Sequence, residues 1–385
     1  MPGTPRFKHT GMNSFYGQFF YDQVVPADDF MRALKELFDW EALGDGLLHL
    51  YAGRGLLGRP PYEPILVFKM LFLSYLYNLS ERDTERWVNI TIPAKYFLGL
   101  AANEKAPDHS LLTTFKNRLL ENGVWAEIQG VYDGLLEQAK AHGLQFGHLQ
   151  ILDSVHTPAH VNYDKDKKRQ EQGKPPRDPE AHVVNKGKRQ VVEPDGTRVQ
   201  KQIRFRGYKT HVSVDAETRV PTSLVPDFGE SADNKAFLPL LAHDRSLGLP
   251  TRGYGGDKAY DDTGIFEWLE QVGMYVAIAL RSFRTSKADP NKERWRKLKE
   301  TPEYQEGIKL RYRVEQPFGQ AKDKHGFDRC RYLGLLKYGI QSFLTFMVVA
   351  VKRIVKLLTG ITFRQLAKGR RAERFTPVYE SLPWA

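Results

Sequence analysis

Three acidic residues, far apart in the chain, have positions that suit metal chemistry. Asp153 ends the apolar run LQILD, Asp257 follows the short run TRGYGG, and Glu315 lies in the basic stretch LRYRVEQPFGQAK. An acid at the end of a buried strand points out of the sheet edge, where ligands bind in open α/β sheets. Together the three carboxylates could hold two Mg²⁺ ions, an arrangement suited to in-line displacement at phosphorus.

Other polar residues close to these acids are weaker candidates. Lys258 and Tyr260 follow the second aspartate, and they could reach a DNA phosphate or a flipped base, or only pack the turn. Lys209 lies in a predicted hairpin and could bind phosphate. His156 and His160 suggest zinc, but Mg²⁺ prefers oxygen ligands, so we interpret both histidines as structural.

The charge of the chain favours an anionic partner. The 385 residues carry a formal net charge of +11 and a pI of about 9.4, although an ordinary basic protein remains the alternative. Cys330 is the single cysteine, which excludes an internal disulfide and a cysteine-based zinc site and fits a reducing cytosol. The sequence has no P-loop motif, which argues against ATP use.

No segment of the sequence has the pattern of a membrane or secretory segment. The N-terminal residues MPGTPRFKHTGMNSFYGQFF lack the apolar core of a signal peptide. The most apolar stretch, FLTFMVVAV, is much shorter than the about 18 apolar residues that span a bilayer. We therefore expect no membrane association, and we predict that this stretch is a buried helix.

The chain up to about residue 145 has helical patterns. PADDFMRALKELFDW carries apolar residues at helical spacing, and Ser80 is a plausible N-cap for the helix ERDTERWVNI. DHSLLTTFKNRLLENG begins at a capping residue and ends at a glycine. These helices could form either a helix-turn-helix unit or a plain helical bundle.

From about residue 146 the pattern indicates a mixed sheet with flanking helices. KQIRFRGYKTHVSVDAETRVPTSLV alternates apolar and polar residues around a turn, which is typical of a hairpin. Further on, TRGYGG and MYVAIAL are short strands separated by the amphipathic helix DTGIFEWLEQVG. A charged linker then precedes helices from about residue 304 to 358. Strands alternating with helices predict an α/β fold.

A basic insertion interrupts this pattern at about residues 164–204. Between Lys165 and Lys209 there are 14 basic and 6 acidic residues, a net charge of +8 that is most of the total. We predict a mobile loop that contacts the phosphate backbone through Lys167, Lys168 and Arg169, with a solvated insertion as the alternative.

At these motifs the chain resembles the DDE transposases of bacterial insertion sequences, in the insertion-sequence-four/five-like group. The blocks that carry the resemblance are GRPPYEPILVFKMLFLSYLYNLSERDTERWV, LDSVHTPAH, RFRGYKTHVSVD, GDKAYDD and RYRVEQPFGQAKDKHGFDRCRYLGLLK. They occur in the family's order and cover nearly the whole chain. The resemblance implies an RNase H-like (retroviral-integrase-like) catalytic domain whose catalytic, metal-binding acids are Asp153, Asp257 and Glu315.

The last block is similar to the family's Tyr, Arg, Glu, Lys pattern. Arg311, Glu315 and Lys322 match its last three members, with spacings of 4 and 7 residues. On one α-helix, Glu315 would lie ~40° and Lys322 ~20° around from Arg311, so both cations would flank the acid. Pro317 conflicts with a continuous helix, which must kink there or begin near Glu315.

The tyrosine of the pattern is absent from this chain. Its position is occupied by Ile308, and Tyr312 or Tyr304 could replace it unless the contact is missing.

The resemblance implies a cut-and-paste transposase that cleaves DNA and transfers strands with Mg²⁺, or Mn²⁺ as a substitute, at two ions per site. We expect DNA partners (terminal inverted repeats and target DNA), a homodimer or larger assembly, and a nucleoid-associated location in the bacterial cytoplasm. The expected domains are a helical DNA-binding domain (1–145), the catalytic domain (146–360) and a basic tail (361–385). An inactive DNA-binding repressor or remnant, or a metal-dependent nuclease of the same fold, is the alternative.

Overall fold

The chain contains two units with different architectures. The computed structural model describes residues 7–13, 15–52, 59–121, 124–192, 196–286 and 288–364. Among these, the first unit holds the residues up to 146 with 218–221 and 343–364, and the second holds 147–217 and 222–342. The predicted basic tail lies outside the described residues from residue 365 onwards.

The first unit is helical. Asp29 and Ser80 cap two of its helices by accepting the backbone N–H groups of Met31 and Asp83, and the second of these caps confirms the sequence prediction. Its helices before residue 146 are α1 (Phe15–Val24), α2 (Phe30–Leu37), α3 (Trp40–Asp45), α4 (Pro64–Leu76), α5 (Glu81–Ile90), α6 (Ile92–Leu98), α7 (Ser110–Glu121) and α8 (Ala126–Ala141).

Helix α4 lies at the centre of this unit. All of its residues are buried, because the sequence PILVFKMLFLSYL is apolar on every side. The rings of Trp40, Phe72 and Phe97 pack against one another with centroids 5.1–6.3 Å apart. Lys69, a residue of α4, lies among these rings with its ammonium 4.6 Å from the Phe97 centroid.

The second unit is built on a six-stranded mixed sheet. Strand β1 pairs antiparallel with β3 and parallel with β5, which in turn pairs parallel with β6, while β2 and β4 both pair with β3. The strands are β1 (Leu149–Pro158), β2 (His182–Val192), β3 (Arg198–Asp215), β4 (Pro221–Phe228), β5 (Gly253–Gly256) and β6 (Tyr275–Ile278). A hairpin beside β1, followed by two strands parallel to β1, is the expected RNase H-like arrangement.

Helices connect and flank these strands. α9 (Tyr163–Glu171) follows β1, α10 (Phe237–Ser246) follows β4, and α11 (Thr263–Gln271) lies between β5 and β6 with Asp262 as its N-cap. After β6 come α12 (Lys292–Glu300), α13 (Pro302–Leu310), α14 (Glu315–His325) and α15 (Leu335–Thr359). The apolar stretch FLTFMVVAV lies buried within α15, as predicted.

Two sequence predictions about irregular segments were wrong. The charged linker after β6 contains α12, which buries Trp295 against the core of the second unit. The basic insertion is not a loop: it forms α9 and a β2–β3 ribbon, with residues 193–195 outside the described part. The ribbon extends the hairpin of the sheet, so backbone hydrogen bonds order a sequence that buries little apolar surface.

Within the described residues, no helix combines the length and apolar character needed to cross a bilayer.

Candidate active site

Asp153 lies on β1, where its side chain is half-buried beside other acids. Its Oδ1 accepts the backbone N–H of Ser154 at 2.7 Å. Burial, which outweighs the opposing hydrogen bond from the Ser154 N–H, raises the pKa of Asp153 to about 7, and this value includes the raising effect of Asp257 and Asp233 and the lowering effect of Arg311. A carboxyl group in this setting is ionised more readily when a cation approaches it.

Asp257 occupies the matching position on the neighbouring strand. Leu152 pairs with Gly256 in the parallel β1–β5 ladder, so the two aspartates take equivalent next positions on adjacent strands. Asp257 follows the end of β5, whereas Asp153 lies within β1, which continues to Pro158 beyond the end that the sequence predicted. The Asp257 side chain accepts the backbone N–H of Ala259 at 2.8 Å and so caps the 3₁₀ helix Lys258–Tyr260. This turn fixes the carboxylate relative to the sheet edge.

Glu315 is the first residue of α14 and is exposed. The helix begins there because Pro317, which cannot donate a backbone hydrogen bond, is tolerated only in a first turn. Arg311 belongs to the preceding 3₁₀ helix, Arg311–Val314, so it does not share one α-helical face with Glu315. Glu315 and Lys322 are seven residues apart on α14 and do share a face.

The ligand atoms of the three predicted metal ligands do not all lie within 4.8 Å of one another. In the described part of the chain, one group of three possible metal-ligand side chains does meet this distance limit. It lies in the helical unit and consists of Glu85, Asp108 and His109. Asp153, Asp257 and Glu315 form no such group. Their joint role as ligands therefore stays a prediction.

Two of the predicted cations lie near Asp153. Arg311 favours the ionised form of this aspartate, and Asp153 in turn favours the charged form of Lys322. Burial nevertheless lowers the pKa of Lys322 below its ordinary value. The structure thus brings together one predicted acid and two predicted phosphate-binding residues.

The residues after Asp257 have different surroundings. Lys258 is exposed, and its carbonyl oxygen accepts a hydrogen bond from Arg281 Nε at 2.9 Å. Tyr260 is fully buried in the core of the sheet unit, so the predicted contact with DNA or a flipped base is wrong. The structure agrees with the alternative prediction for Tyr260, in which this side chain only packs the turn.

The hydroxyl of Tyr260 is buried without a hydrogen-bond partner among the described residues. Burial, followed by the charges of Asp233, Asp153 and Asp257, raises its pKa well above the ordinary value. The carboxylates of Asp233, Asp153 and Asp257 thus all lie within electrostatic range of one buried hydroxyl. Carboxylate oxygens are ligands that fit a hard divalent ion.

Lys209 does not present a free ammonium to DNA. It pairs with His156 across the β1–β3 ladder, whereas Asp153 pairs with Val212, so the lysine and Asp153 lie on opposite faces of the sheet. The buried ammonium donates to the Ser231 carbonyl and, at 3.1 Å, to Asp233 Oδ1. The sequence showed the hairpin but not the register that turns Lys209 inward.

Asp233 is an acid within electrostatic range of Asp153 that the sequence did not single out as a site residue. It is the first residue of a 3₁₀ helix whose N-cap is Ala232, and no side-chain cap forms there. Burial opposes its ionisation, but the contact with His211, 3.2 Å between Nδ1 and Oδ1, and the charge of Lys209 outweigh this and lower its pKa. No sequence signal linked it to Asp153, because the link runs through tertiary contacts.

The remaining predictions concern less central residues. His156 Nε2 lies 3.2 Å from the Gly229 carbonyl oxygen, which agrees with a structural role. Tyr304 is buried, Ile308 packs against the same core, and Tyr312 is 57% exposed. Of the two candidates for the missing tyrosine contact, Tyr312 is therefore the accessible one.

The basic side chains of α9 are on the surface. Lys167, Lys168 and Arg169 are all exposed, while Asp166 on the same helix is buried and accepts the backbone N–H of Arg177 at 3.0 Å. The helix therefore turns its acid inward and its cations to solvent.

Comparison with known proteins gives two family matches and a structural likeness. A solved structure described as a synaptic complex of piggyBac transposase with hairpin DNA has 10% sequence identity and a TM-score of 0.41, over 86% of this chain and 77% of that chain. The family model described as Transposase domain (DUF772) matches residues 19–118, and the model described as Transposase DDE domain matches residues 148–350.

The second match spans more than half of the chain and contains all three predicted catalytic acids. Members of this family act on DNA, cleave it, transfer strands and use divalent metal ions. The chain belongs to the DDE transposase family.

Proposed function

We propose that Asp153, Asp257 and Glu315 are the catalytic acids of this transposase and hold two Mg²⁺ ions, for which Mn²⁺ can substitute. The observation that carries the proposal is that Asp153 and Asp257 follow paired residues, Leu152 and Gly256, of adjacent parallel strands, with the pKa of Asp153 raised to about 7 by burial and neighbouring acids. Divalent ions at such a site activate water or a 3′-OH and stabilise the leaving oxygen.

The protein groups around these acids have separate roles in this proposal. Arg311 and Lys322 bind the phosphate that undergoes reaction, because both lie within electrostatic range of Asp153. Glu315 swings towards the aspartates from the first turn of α14. Lys258 and the α9 cations Lys167, Lys168 and Arg169 contact the phosphate backbone further along the DNA.

The proposed substrates are the terminal inverted repeats of the element and a target DNA. The helical unit binds the repeats, and two or more copies of the chain act together on paired ends. Action at the nucleoid in the bacterial cytoplasm also stays a prediction. Strand transfer by a freed 3′-OH distinguishes this function from that of a simple nuclease.

The test is Asp257→Asn, which keeps the size of the side chain and removes its charge. We expect cleavage and strand transfer on DNA carrying the element's ends to fall by several orders of magnitude, because the metal-binding charge contributes to the transition state. Affinity for the same DNA should persist, and Mn²⁺ binding followed by calorimetry should weaken.

Glu267→Gln is the matched control, since Glu267 is an exposed acid on α11. It should leave cleavage and Mn²⁺ binding unchanged. Normal cleavage by Asp257→Asn would show that the chemistry lies elsewhere. A wild-type protein that binds its ends but never cuts them with Mg²⁺ or Mn²⁺ would favour the repressor, and cutting without strand transfer would favour the nuclease.

A further inference from the structure

The β2–β3 ribbon leaves the core of the sheet unit at a bulge. The register of the ladder shifts there, between Asn185 and Lys188 of β2. On the sheet side of the bulge, Val184 is buried. The part beyond it, which we call the outer ribbon, comprises residues 188–192 and 196–202, and none of its described side chains is buried. The outer ribbon therefore has both strands accessible to a partner.

The bulge has a defined conformation. Gly187 has φ +79°, in the left-handed region that favours glycine. The Asn185 Oδ1 accepts the Gly187 backbone N–H at 3.0 Å and also a hydrogen bond from the Gln202 side chain. These contacts hold one strand against the other, so the register of the outer ribbon is set where it leaves the sheet.

This register gives the outer ribbon two different faces. Directly opposed residues of an antiparallel pair carry their side chains on the same face, and successive residues alternate between faces. One face, which we call the glutamine face, is formed by three pairs: Lys188 with Gln202, Gln190 with Gln200, and Val192 with Arg198. Five of these six side chains are exposed, whereas Val199 and Lys201 on the other face are half-buried. The glutamine face is therefore the one that faces solvent.

The glutamine face combines three kinds of chemical group. It has two amides, Gln190 and Gln200, directly opposite each other, and it has cations from both strands. None of its four exposed polar side chains makes a hydrogen bond or an ion pair with a residue that the structure describes. Val192 adds an apolar group that is 62% exposed. The face thus offers hydrogen-bond donors, acceptors, positive charge and one apolar contact to a ligand.

The chemistry of the ribbon matches the major groove of duplex DNA. Residues 182–192 and 198–206 contain seven basic and no acidic residues, so the ribbon attracts a polyanion. The major groove of B-DNA is wide enough for a two-stranded β-ribbon. Within it, a glutamine amide can pair with adenine, a lysine or arginine can pair with guanine, and an apolar side chain can contact the thymine methyl group. A face that presents all three kinds of group suits base edges better than phosphates alone.

Strand β3 connects the glutamine face with the proposed active site. Asp153 pairs with Val212 on this strand, and alternation places Gln200 on the same side of β3 as Val212. The twelve positions between these two residues span at most about 40 Å, which is roughly 12 base pairs of DNA. A duplex held by the outer ribbon could therefore reach the acids without leaving this side of the strand.

We infer that the glutamine face of the outer ribbon enters the major groove of the element's terminal DNA and reads its base pairs, with Gln190 and Gln200 contacting adenine. The inference rests on the proposed function for the identity of the DNA. It adds sequence recognition to the basic insertion, whose other proposed role is contact with the phosphate backbone through α9.

The test compares the double variant Gln190→Ala with Gln200→Ala against Gln170→Ala, an exposed glutamine on α9 in the same insertion. The probes are a duplex carrying the element's terminal repeat and a scrambled duplex of equal composition, with Ca²⁺ in place of Mg²⁺ to prevent cleavage. The double variant should bind the terminal duplex at least about tenfold more weakly and the scrambled duplex as the wild type does. Its slope of log K against log salt should not change, because no charge is removed. Gln170→Ala should bind both duplexes normally.

A second variant tests the face with the composition unchanged. Val199→Gln combined with Gln200→Val exchanges two neighbouring side chains and so moves one amide to the opposite face of the ribbon. We expect it to lose preference for the terminal duplex, as Gln200→Ala alone should. Circular dichroism and thermal unfolding would verify that the fold of each variant is intact. Wild-type preference in the exchanged variant would overturn the assignment to this face.

The outcomes separate this inference from the proposed function. If the wild type prefers its terminal duplex but never cuts it, the proposed function fails, while the alanine variants still decide whether the ribbon reads bases. Full preference in the double alanine variant would overturn the inference alone. Equal weakening on both duplexes would also overturn it, since the ribbon would then contact only the backbone. A wild type with no preference for its own ends would overturn base reading by this ribbon.

Discussion

The helical unit and the sheet unit each bury a lysine, but they accommodate its charge differently. Lys69 in the helical unit and Lys209 in the sheet unit are only 6% and 5% exposed. Lys209 is paired with Asp233 and the Ser231 carbonyl, whereas Lys69 faces the rings of Phe97 and Trp40. Lys209 thus keeps a carboxylate partner, whereas the neighbours of Lys69 are aromatic rings; Lys116, a second buried lysine of the helical unit, is paired with Glu81.

This difference decides which lysines are available to bind DNA. A lysine that is neutralised within the fold, such as Lys209, stabilises the protein and is not offered to a ligand. A lysine that stays exposed, such as Lys167 on α9, is available to a phosphate partner. Whether a lysine can bind a phosphate therefore depends more on whether it has an internal counter-ion than on how close it lies to the acids.

The largest stability effect should follow from breaking the paired lysine. Asp233→Asn leaves the buried ammonium of Lys209 without its carboxylate, and we expect a loss of about 3–5 kcal/mol in the free energy of unfolding. Urea denaturation at neutral pH would measure it. The double variant Asp233→Asn with Lys209→Met should recover most of this loss, because no buried charge is then left unpaired.

An exposed ion pair gives the matched control for this effect. Arg296 and Glu293 contact each other on α12 with side chains 65% and 55% exposed. Glu293→Gln should change the unfolding free energy by less than about 1 kcal/mol. If Asp233→Asn changed it equally little, the Lys209 pair would have to be regarded as an ordinary surface contact.

A smaller effect, with the opposite sign, is expected for the unpaired lysine. Burial, together with the charge of Lys35 and against the charges of Glu41 and Glu63, lowers the pKa of Lys69 from 10.5 to about 7. Between these two values the unfolded chain binds more protons, so stability should rise with pH from about 7 to 10. Below pH 7 Lys69 is protonated in both the folded and the unfolded chain, so burial of its charge then destabilises the fold to the full extent.

Lys69→Met should therefore stabilise the protein at pH 6 by about 2–3 kcal/mol and flatten its stability between pH 7 and 10. Thermal unfolding across this range would show the change. Part of the slope should remain, because burial also lowers the pKa of Lys35 to about 8. Lys105→Met, at an exposed lysine, should leave the slope unaltered; an equal flattening there would disprove the assignment to Lys69.

The smallest effect concerns two buried tyrosines of the sheet unit. The Tyr260 hydroxyl has no hydrogen-bond partner among the described residues, whereas that of Tyr208 donates to Asp178 Oδ1 at 2.7 Å. Tyr260→Phe should keep the unfolding free energy within about 1 kcal/mol, and Tyr208→Phe should lower it by about 1–3 kcal/mol. Equal losses in chemical denaturation would indicate that Tyr260 has an unrecognised partner.

Much of the local structure could be predicted from the sequence. The Ser80 cap, the hairpin containing Lys209 and the helix beginning at Glu315 all follow from short-range rules about capping, alternation and proline. The basic insertion could not be predicted in this way. Its charge suggested a loop, but pairing with β3 made it a ribbon with a bulge between Asn185 and Lys188.

By itself the sequence determined the order of helices and strands, the excess of positive charge, the family blocks and the position of Asp257 at the end of a strand. Each of these depends on residues that are close together in the chain or on composition. Only the tertiary structure decided which charges meet: it placed Asp233 against Lys209 and turned Lys209 away from the face of Asp153. The physical reason is that alternate residues of a strand point to opposite faces, so their partners depend on strand register and on packing between distant segments.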